Sequence, residues 1–216
     1  MNIFEKIMDK LTIRYRENKR EILNDNNRSS LKNKDFSIIS SNCNGACILH
    51  DLGLKFLTPT VNLWFEPKDF IEFISNLEYY LSCEIQFSSE LEQKLNYPVG
   101  IIDNKIKIYF EHYENNKIAK EKWEERAKRI NFDNLFILFT DRDGCTYDDI
   151  AKFDRLPYKN KVIFTNKKYD EFSSSFYIKG FENDESVGIC SSYKGYFTGE
   201  KYYDDFPYVK WFNNES

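Results

Sequence analysis

The sequence predicts an α/β protein: a mostly parallel sheet with flanking helices. Three observations carry that class. Leu135–Phe139 is an unbroken apolar run of strand length, as expected where both faces of a strand are covered. A polar turn and a capped helix follow it, and Val162-Ile163-Phe164 then supplies the next strand, a βαβ pattern whose crossover is right-handed. Helical periodicity also alternates with short strand candidates through the first half of the chain. Composition agrees. With 41% hydrophobic and 31% charged residues over 216 positions, the chain can bury a sizeable core without disulfides. Gly and Pro total only 13, which argues against flexible linkers.

In chain order, Asn2 to about Leu23 reads as an amphipathic helix, with Ile3, Phe4, Ile7, Met8, Leu11 and Tyr15 three or four apart. Asn24 to Lys34 is polar and reads as a loop. Asp35–Ser40 is a short strand running into the turn Ser41–Gly45 and a helix to about Asp51. Val61–Phe65 is a further strand candidate. Pro67 suits the first turn of a helix whose buried stripe is Phe70, Ile71, Ile74, Leu77 and Leu81. Pro98–Ile102 and Ile106–Phe110 pair as a hairpin through Asp103-Asn104-Lys105. A charged helix runs from about Lys117 to Ile130, with Asn131 as its terminator. Thr146, with Asp149 three residues on, has capping-box spacing, and Leu156-Pro157 ends that helix. Tyr169–Ser216 holds 14 of the 37 aromatic residues and four of the eight glycines, which predicts an aromatic segment of short strands at Phe176–Phe181 and Val187–Cys190. Two small α/β lobes, residues 1–115 and 116–216, are one way to divide the chain; a single domain is the other.

The net charge of −4 disfavours a nucleic-acid binder. No apolar run approaches the ~20 residues that span a bilayer, and charges interrupt the apolar positions after Met1, as they would not in a secretory leader. Five cysteines without such a leader read as reduced thiols in the cytoplasm. The first helix carries slightly more bases than acids, a weak signal for peripheral membrane contact.

In parallel sheets ligands collect beyond the carboxyl ends of strands. The turns Ser41–Gly45 and Asp141–Cys145 occupy that position, which predicts a cleft between them. Cys43, at a helix N-terminus, is the candidate nucleophile, since the dipole favours thiolate there; the alternative is that Cys43 and Cys47 are small buried residues. His112 or His50 is its candidate base. Backbone N–H groups near Gly45, with Asn42 beside it, are candidates to hold an oxyanion. Asp141-x-Asp143 resembles the metal-binding pair of nucleotide-sugar glycosyltransferases, with Mn²⁺ or Mg²⁺ as the implied ion; plain turn and capping residues are the alternative. Lys122, Arg126 and Arg129 share a helix face that either grips an anion or faces solvent balanced by Glu121, Glu124 and Glu125. Arg142 adds a cation to the second turn. The aromatic tail either stacks sugars or forms core.

Ser41-Asn42-Cys43-Asn44-Gly45, Leu57-Thr58-Pro59-Thr60, Asp69-Phe70-Ile71, Tyr97-Pro98-Val99-Gly100, His112-Tyr113, Lys122-Trp123 with Arg126 and Arg129-Ile130-Asn131, Thr140-Asp141-Arg142-Asp143, and Asn160-Lys161-Val162 form a specific series. Together they resemble a bacterial domain-of-unknown-function family, DUF1919, often found among exopolysaccharide (capsule) biosynthesis proteins. The resemblance covers about residues 36–166 and implies a setting in surface-polysaccharide assembly. His50 lies outside its motifs, which favours His112 as the base.

The expected function is therefore a transferase or glycan-modifying enzyme whose partner is a sugar, a sugar nucleotide or a glycan intermediate. In one mechanism Cys43 attacks an acyl or related electrophile, His112 moves the proton, Asp141 belongs to the same catalytic centre, and Arg126 and Arg129 hold an anionic donor, with Asn42, Gly45 and Arg142 as further substrate-binding candidates. In a second, Asp141 and Asp143 bind the metal of a nucleotide-sugar glycosyltransferase. A third expectation is a non-catalytic binding or scaffold protein of polysaccharide assembly.

Overall fold

The computed structural model describes residues 3–215, and side chains from Leu11 onward. In chain order the elements are α1 (Ile3–Ser30), β1 (Ser37–Ser40), α2 (Asn44–Asp51), α3 (Pro67–Ser75), α4 (Leu77–Ser82), β2 (Ile85–Phe87), α5 (Ser89–Leu95), β3 (Val99–Ile102), β4 (Ile106–Tyr109), α6 (Asn116–Ala127), β5 (Leu135–Thr140), α7 (Tyr147–Asp154), β6 (Asn160–Thr165), β7 (Ser175–Tyr177) and α8 (Tyr208–Phe212). Single 3-10 turns lie at Phe132–Asn134 and Tyr202–Asp205.

The principal sheet has the order β1-β5-β6-β7, and all its pairings are parallel. Ser37 faces Leu135 across the first pair, and Phe136 faces Asn160 across the second. The sheet therefore takes one strand from before residue 115 and three from after it. A smaller antiparallel sheet, β2-β3-β4, stands beside it. The predicted fold class is the observed one.

Strand alternation explains the apolar runs. Ile39, Ile137, Phe139 and Ile163 face a core shared with Phe70, Phe73, Trp123, Phe153 and the small sheet. Ile38, Phe136, Leu138, Val162 and Phe164 face a second core with α2 and the C-terminal segment. Each such buried side chain contributes about 1.5–3 kcal/mol, so β5 is apolar at every position from Leu135 to Phe139. Most of the aromatic tail is core: Tyr203, Phe206, Tyr208 and Phe212 pack under the sheet. The open edge of β1 is covered by the chain at 57–60, where Ser37 Oγ donates to the Leu57 carbonyl and the Ser40 amide donates to Thr60 Oγ1 at 3.0 Å.

Several expectations are corrected. α1 continues to Ser30 instead of ending near Leu23. Leu11 and Tyr15 are exposed, and the inward face farther along is polar, with Arg20 and Asn24 buried. The side chains of Ile3, Phe4, Ile7 and Met8 lie outside the described residues. Val61–Phe65 forms a single bridge, Trp64 to Tyr109, because Asn62 at φ 60° interrupts the extended run. Asn76 at φ −142°, ψ 58° breaks the predicted helix into α3 and α4. α6 stops at Ala127, and Asn131 instead starts the next turn by accepting the Asp133 amide. Val187–Cys190 is irregular, and β7 ends at Tyr177. The hairpin β3–β4 forms as predicted, with Asp103 and Asn104 in the left-handed region that its turn requires. The Thr146–Asp149 capping box is also present.

Candidate functional site

Parallel pairing of β1 with β5 places the two predicted turns side by side at the carboxyl edge of the sheet. The Ser41 amide donates to the Leu138 carbonyl at 3.0 Å, and Asn42 Nδ2 donates to Thr140 Oγ1 at 2.8 Å, so the strand ends are locked together. Above them opens a cavity of about 400 Å³, within the range of small-molecule sites. Asn42, Cys43 and Asn44 line it from the first turn, and Arg142 and Asp143 from the second. Glu111 and His112 enter after β4, Trp64 and Tyr97 form another wall, and Ile189 and Ser191 approach from the C-terminal segment. Trp64 is held flat against Tyr109, with ring centroids 4.0 Å apart and planes 9° apart.

Five predicted site residues thus share one cavity: Asn42, Cys43, His112, Arg142 and Asp143. Four do not line it. Asp141 is buried, and its carboxylate accepts the Asn166 amide at 2.8 Å and the Val187 amide at 2.7 Å. It ties the end of β5 to the end of β6 and to the C-terminal segment. Both oxygens are engaged, so Asp141-x-Asp143 does not fit a two-carboxylate metal site. Among the described residues no group of three or more His, Cys, Asp or Glu is arranged for a metal ion. Gly45 is a packing residue: a Cβ there would lie 2.7 Å from Ser40 Cβ, and its amide already donates to Ser40 Oγ. It offers no free oxyanion donor. Arg126 donates to the Tyr113 hydroxyl at 2.7 Å, and Tyr113 in turn donates to the Val61 carbonyl at 2.8 Å. Arg129, just past the end of α6, pairs with Glu125 of that helix, as does Lys122. That row braces the fold and faces solvent.

Electrostatics revises the thiol expectation. Burial pushes the Cys43 thiol up to about 11, with Cys47 and the charge of Glu111 adding to it. The carbonyl of Leu63, 3.8 Å from Sγ, receives the S–H. Burial outweighs the helix dipole, so Cys43 rests as a thiol at neutral pH. Asp143 is also held above the ordinary carboxylate range, by the surrounding protein first and by Glu111, with Arg142 opposing. Asp143 reaches the cavity because its φ of 60°, followed by Gly144 at 83°, turns the chain sharply after β5. His112 is exposed at the rim.

Sequence reasoning missed Trp64, Tyr97, Glu111, Ile189 and Ser191, and gave Asn44 no role. Glu111 was findable as the neighbour of His112. Trp64 was hidden inside an apparent strand, and residues 189–191 lie far from either turn in sequence. No helix among the described residues is long and apolar enough to cross a membrane.

Comparison with known proteins bears on the whole chain. The profile described as "Domain of unknown function (DUF1919)" matches residues 14–213, which include every residue of the cavity. An uncharacterised protein of Haemophilus influenzae is 45% identical over 214 residues, covering 99% of this chain and 100% of that protein. The chain belongs to the DUF1919 family.

Proposed function

We propose that the cavity is the substrate site of a transferase or glycan-modifying enzyme acting on a sugar derivative in surface-polysaccharide biosynthesis. The observation that carries this reading is the meeting of the two turns: thiol, imidazole, carboxylates and guanidinium line one cavity of about 400 Å³. Its chemistry suits a sugar. Flat rings of Trp64 and Tyr97 offer surfaces for the C–H face of a pyranose. Asn42, Asn44, Glu111 and Asp143 supply acceptors and donors for hydroxyl groups. Arg142 suits a phosphate or carboxylate on the donor.

Because Cys43 rests protonated, it acts only with a base. The Cys43 proton passes to His112 as Sγ bonds to an acyl carbon, and the donor's leaving group departs with its electron pair. A sugar hydroxyl then attacks the thioester carbon. His112, after giving up the first proton to the leaving group, takes the hydroxyl proton and returns it to sulfur as the C–S bond breaks.

Thermal shift against sugar nucleotides and acyl thioesters tests the reading, since a ligand that binds the native state raises Tm. The expected result is stabilisation by such a compound, unchanged by EDTA and abolished in Arg142→Ala. Turnover of the pair should disappear in Cys43→Ala. The reading fails if no sugar- or acyl-bearing compound shifts Tm, or if the shift persists in Arg142→Ala together with His112→Ala.

A further inference from the structure

We propose that the outer face of α1, together with the loop at 195–199, docks on an anionic phospholipid surface. Leu11 and Tyr15, 56% and 48% exposed, share an open groove with Phe197, which is 64% exposed. Beside it Tyr196 is 73% exposed. The Tyr15 and Phe197 rings meet edge to face with centroids 6.3 Å apart. Two segments some 180 residues apart therefore present aromatic and aliphatic side chains on one face, where water would ordinarily disfavour a cluster.

The presentation is built into the backbone. Gly199 sits at φ 71°, and a Cβ there would lie 2.7 Å from the Arg20 amide nitrogen and 2.7 Å from Lys19 Cβ. The loop is seated directly on the helix backbone. That close seat holds Tyr196 and Phe197 outward instead of letting them fold into the core that takes most of the aromatic tail.

Charge selects the occupant. Arg14 lines the same groove, and Lys19 Nζ lies 5.5 Å from the Tyr15 ring centre. Leaving aside Arg20, which is buried and paired inward, residues 1–20 carry five Lys and Arg against three Asp and Glu, in a chain whose net charge is −4. Aromatic residues flanked by bases match the interface of an anionic bilayer, with rings at the acyl boundary and cations at the headgroups. A second copy of the chain fits less well, because a two-fold axis through the groove would bring Arg14 toward its own symmetry mate. This proposal does not depend on what the cavity does.

Vesicle flotation of the full chain tests it, comparing phosphatidylcholine alone with a mixture containing about a third phosphatidylglycerol. The protein should float with the anionic vesicles and not with the neutral ones, and added salt should release it. Phe197→Ser and the double variant Arg14→Glu with Lys19→Glu should each weaken binding at least about tenfold, since one basic residue near the surface is worth roughly fivefold in partitioning. These side chains are exposed, so Tm should hold; Tyr196→Ser gives a second apolar test if it does not. Equal binding to both vesicles, no binding to either, or wild-type binding by the variants overturns the proposal. So does sedimentation showing a dimer that Phe197→Ser dissociates, which would make the face a contact between copies.

Discussion

Asp141→Asn separates a structural aspartate from a metal ligand. In the folded protein the Asp141 carboxylate accepts two amides, from Asn166 at 2.8 Å and Val187 at 2.7 Å. Asparagine keeps one carbonyl oxygen and turns an NH2 group toward the other amide. One charge-assisted bond weakens, worth about 1.5–3 kcal/mol, and one buried N–H loses its acceptor at about 1–3 kcal/mol. Removing a buried charge recovers part of this, because burial already disfavours the ionised form of Asp141. A net loss of about 2 kcal/mol is expected. For a chain of this length that lowers Tm by roughly 4–8 °C. Urea unfolding followed by tryptophan fluorescence measures it, and hydrogen exchange at the Val187 amide should quicken in parallel. EDTA should leave the wild type unchanged. The reasoning is refuted if Asp141→Asn changes stability by less than about 0.5 kcal/mol, or if it removes a stabilisation that Mn²⁺ confers on the wild type.

Four further outcomes follow from particular contacts. Gly45→Ala should cost about 1–3 kcal/mol by overpacking, because the new Cβ meets Ser40 Cβ at 2.7 Å in the first turn of α2; denaturant titration reads it. Iodoacetamide should alkylate Cys43 with a rate that rises about tenfold per pH unit towards pH 11. At neutral pH, mass spectrometry should find it modified roughly a hundredfold more slowly than a free thiol of ordinary pKa. Arg20→Ala should destabilise by about 3 kcal/mol, the low end for breaking a buried pair, since it takes from buried Asp51 and half-buried Asp204 their shared partner at 2.6 and 2.5 Å while Lys201 still pairs with Asp51 at 2.9 Å. Burial opposes ionisation of Asp51, but the Tyr203 hydroxyl, Lys201 and Arg20 outweigh it and hold the carboxyl below its ordinary value. Its contribution is therefore present above the ordinary carboxylate pKa and lost as pH falls through the folded value, so Asp51→Asn should flatten the acid limb of a stability–pH curve.

What the sequence made legible was local or periodic. The β5 run could be read because both sheet faces are covered, leaving no room for polar alternation. The capping box and the Asp103-Asn104 turn could be read because each is settled within four residues. What escaped depends on distant partners. The inward face of α1 is polar because Arg20 meets Asp51, Asp204 and Tyr203, and no helical period announces partners up to 184 residues away. The meeting of the turns at 41–45 and 141–145 followed from strand chemistry and parallel pairing, so half of the cavity was foreseeable. Trp64, Tyr97 and Ile189 reach it through irregular segments, whose direction periodicity does not encode.

The fate of the Asp-x-Asp pair shows why a motif and a site are different things. In extended backbone, residues two apart point to the same side, and two carboxylates so placed would converge on one ion. Here the chain leaves the extended region at Asp143, whose φ is 60°. Asp141 is spent on two backbone amides, while Asp143 turns to the cavity. Electrostatics on the cavity side then becomes asymmetric. The charge of Glu111 raises both Cys43 and Asp143, whereas Arg142 relieves Asp143. The Glu111 side thus disfavours any further anion and suits neutral hydroxyls. The Arg142 side is where a ligand's negative group gains. Under the proposed function, a molecule with a polyhydroxyl part and one anionic end would match that division with its anionic end toward Arg142.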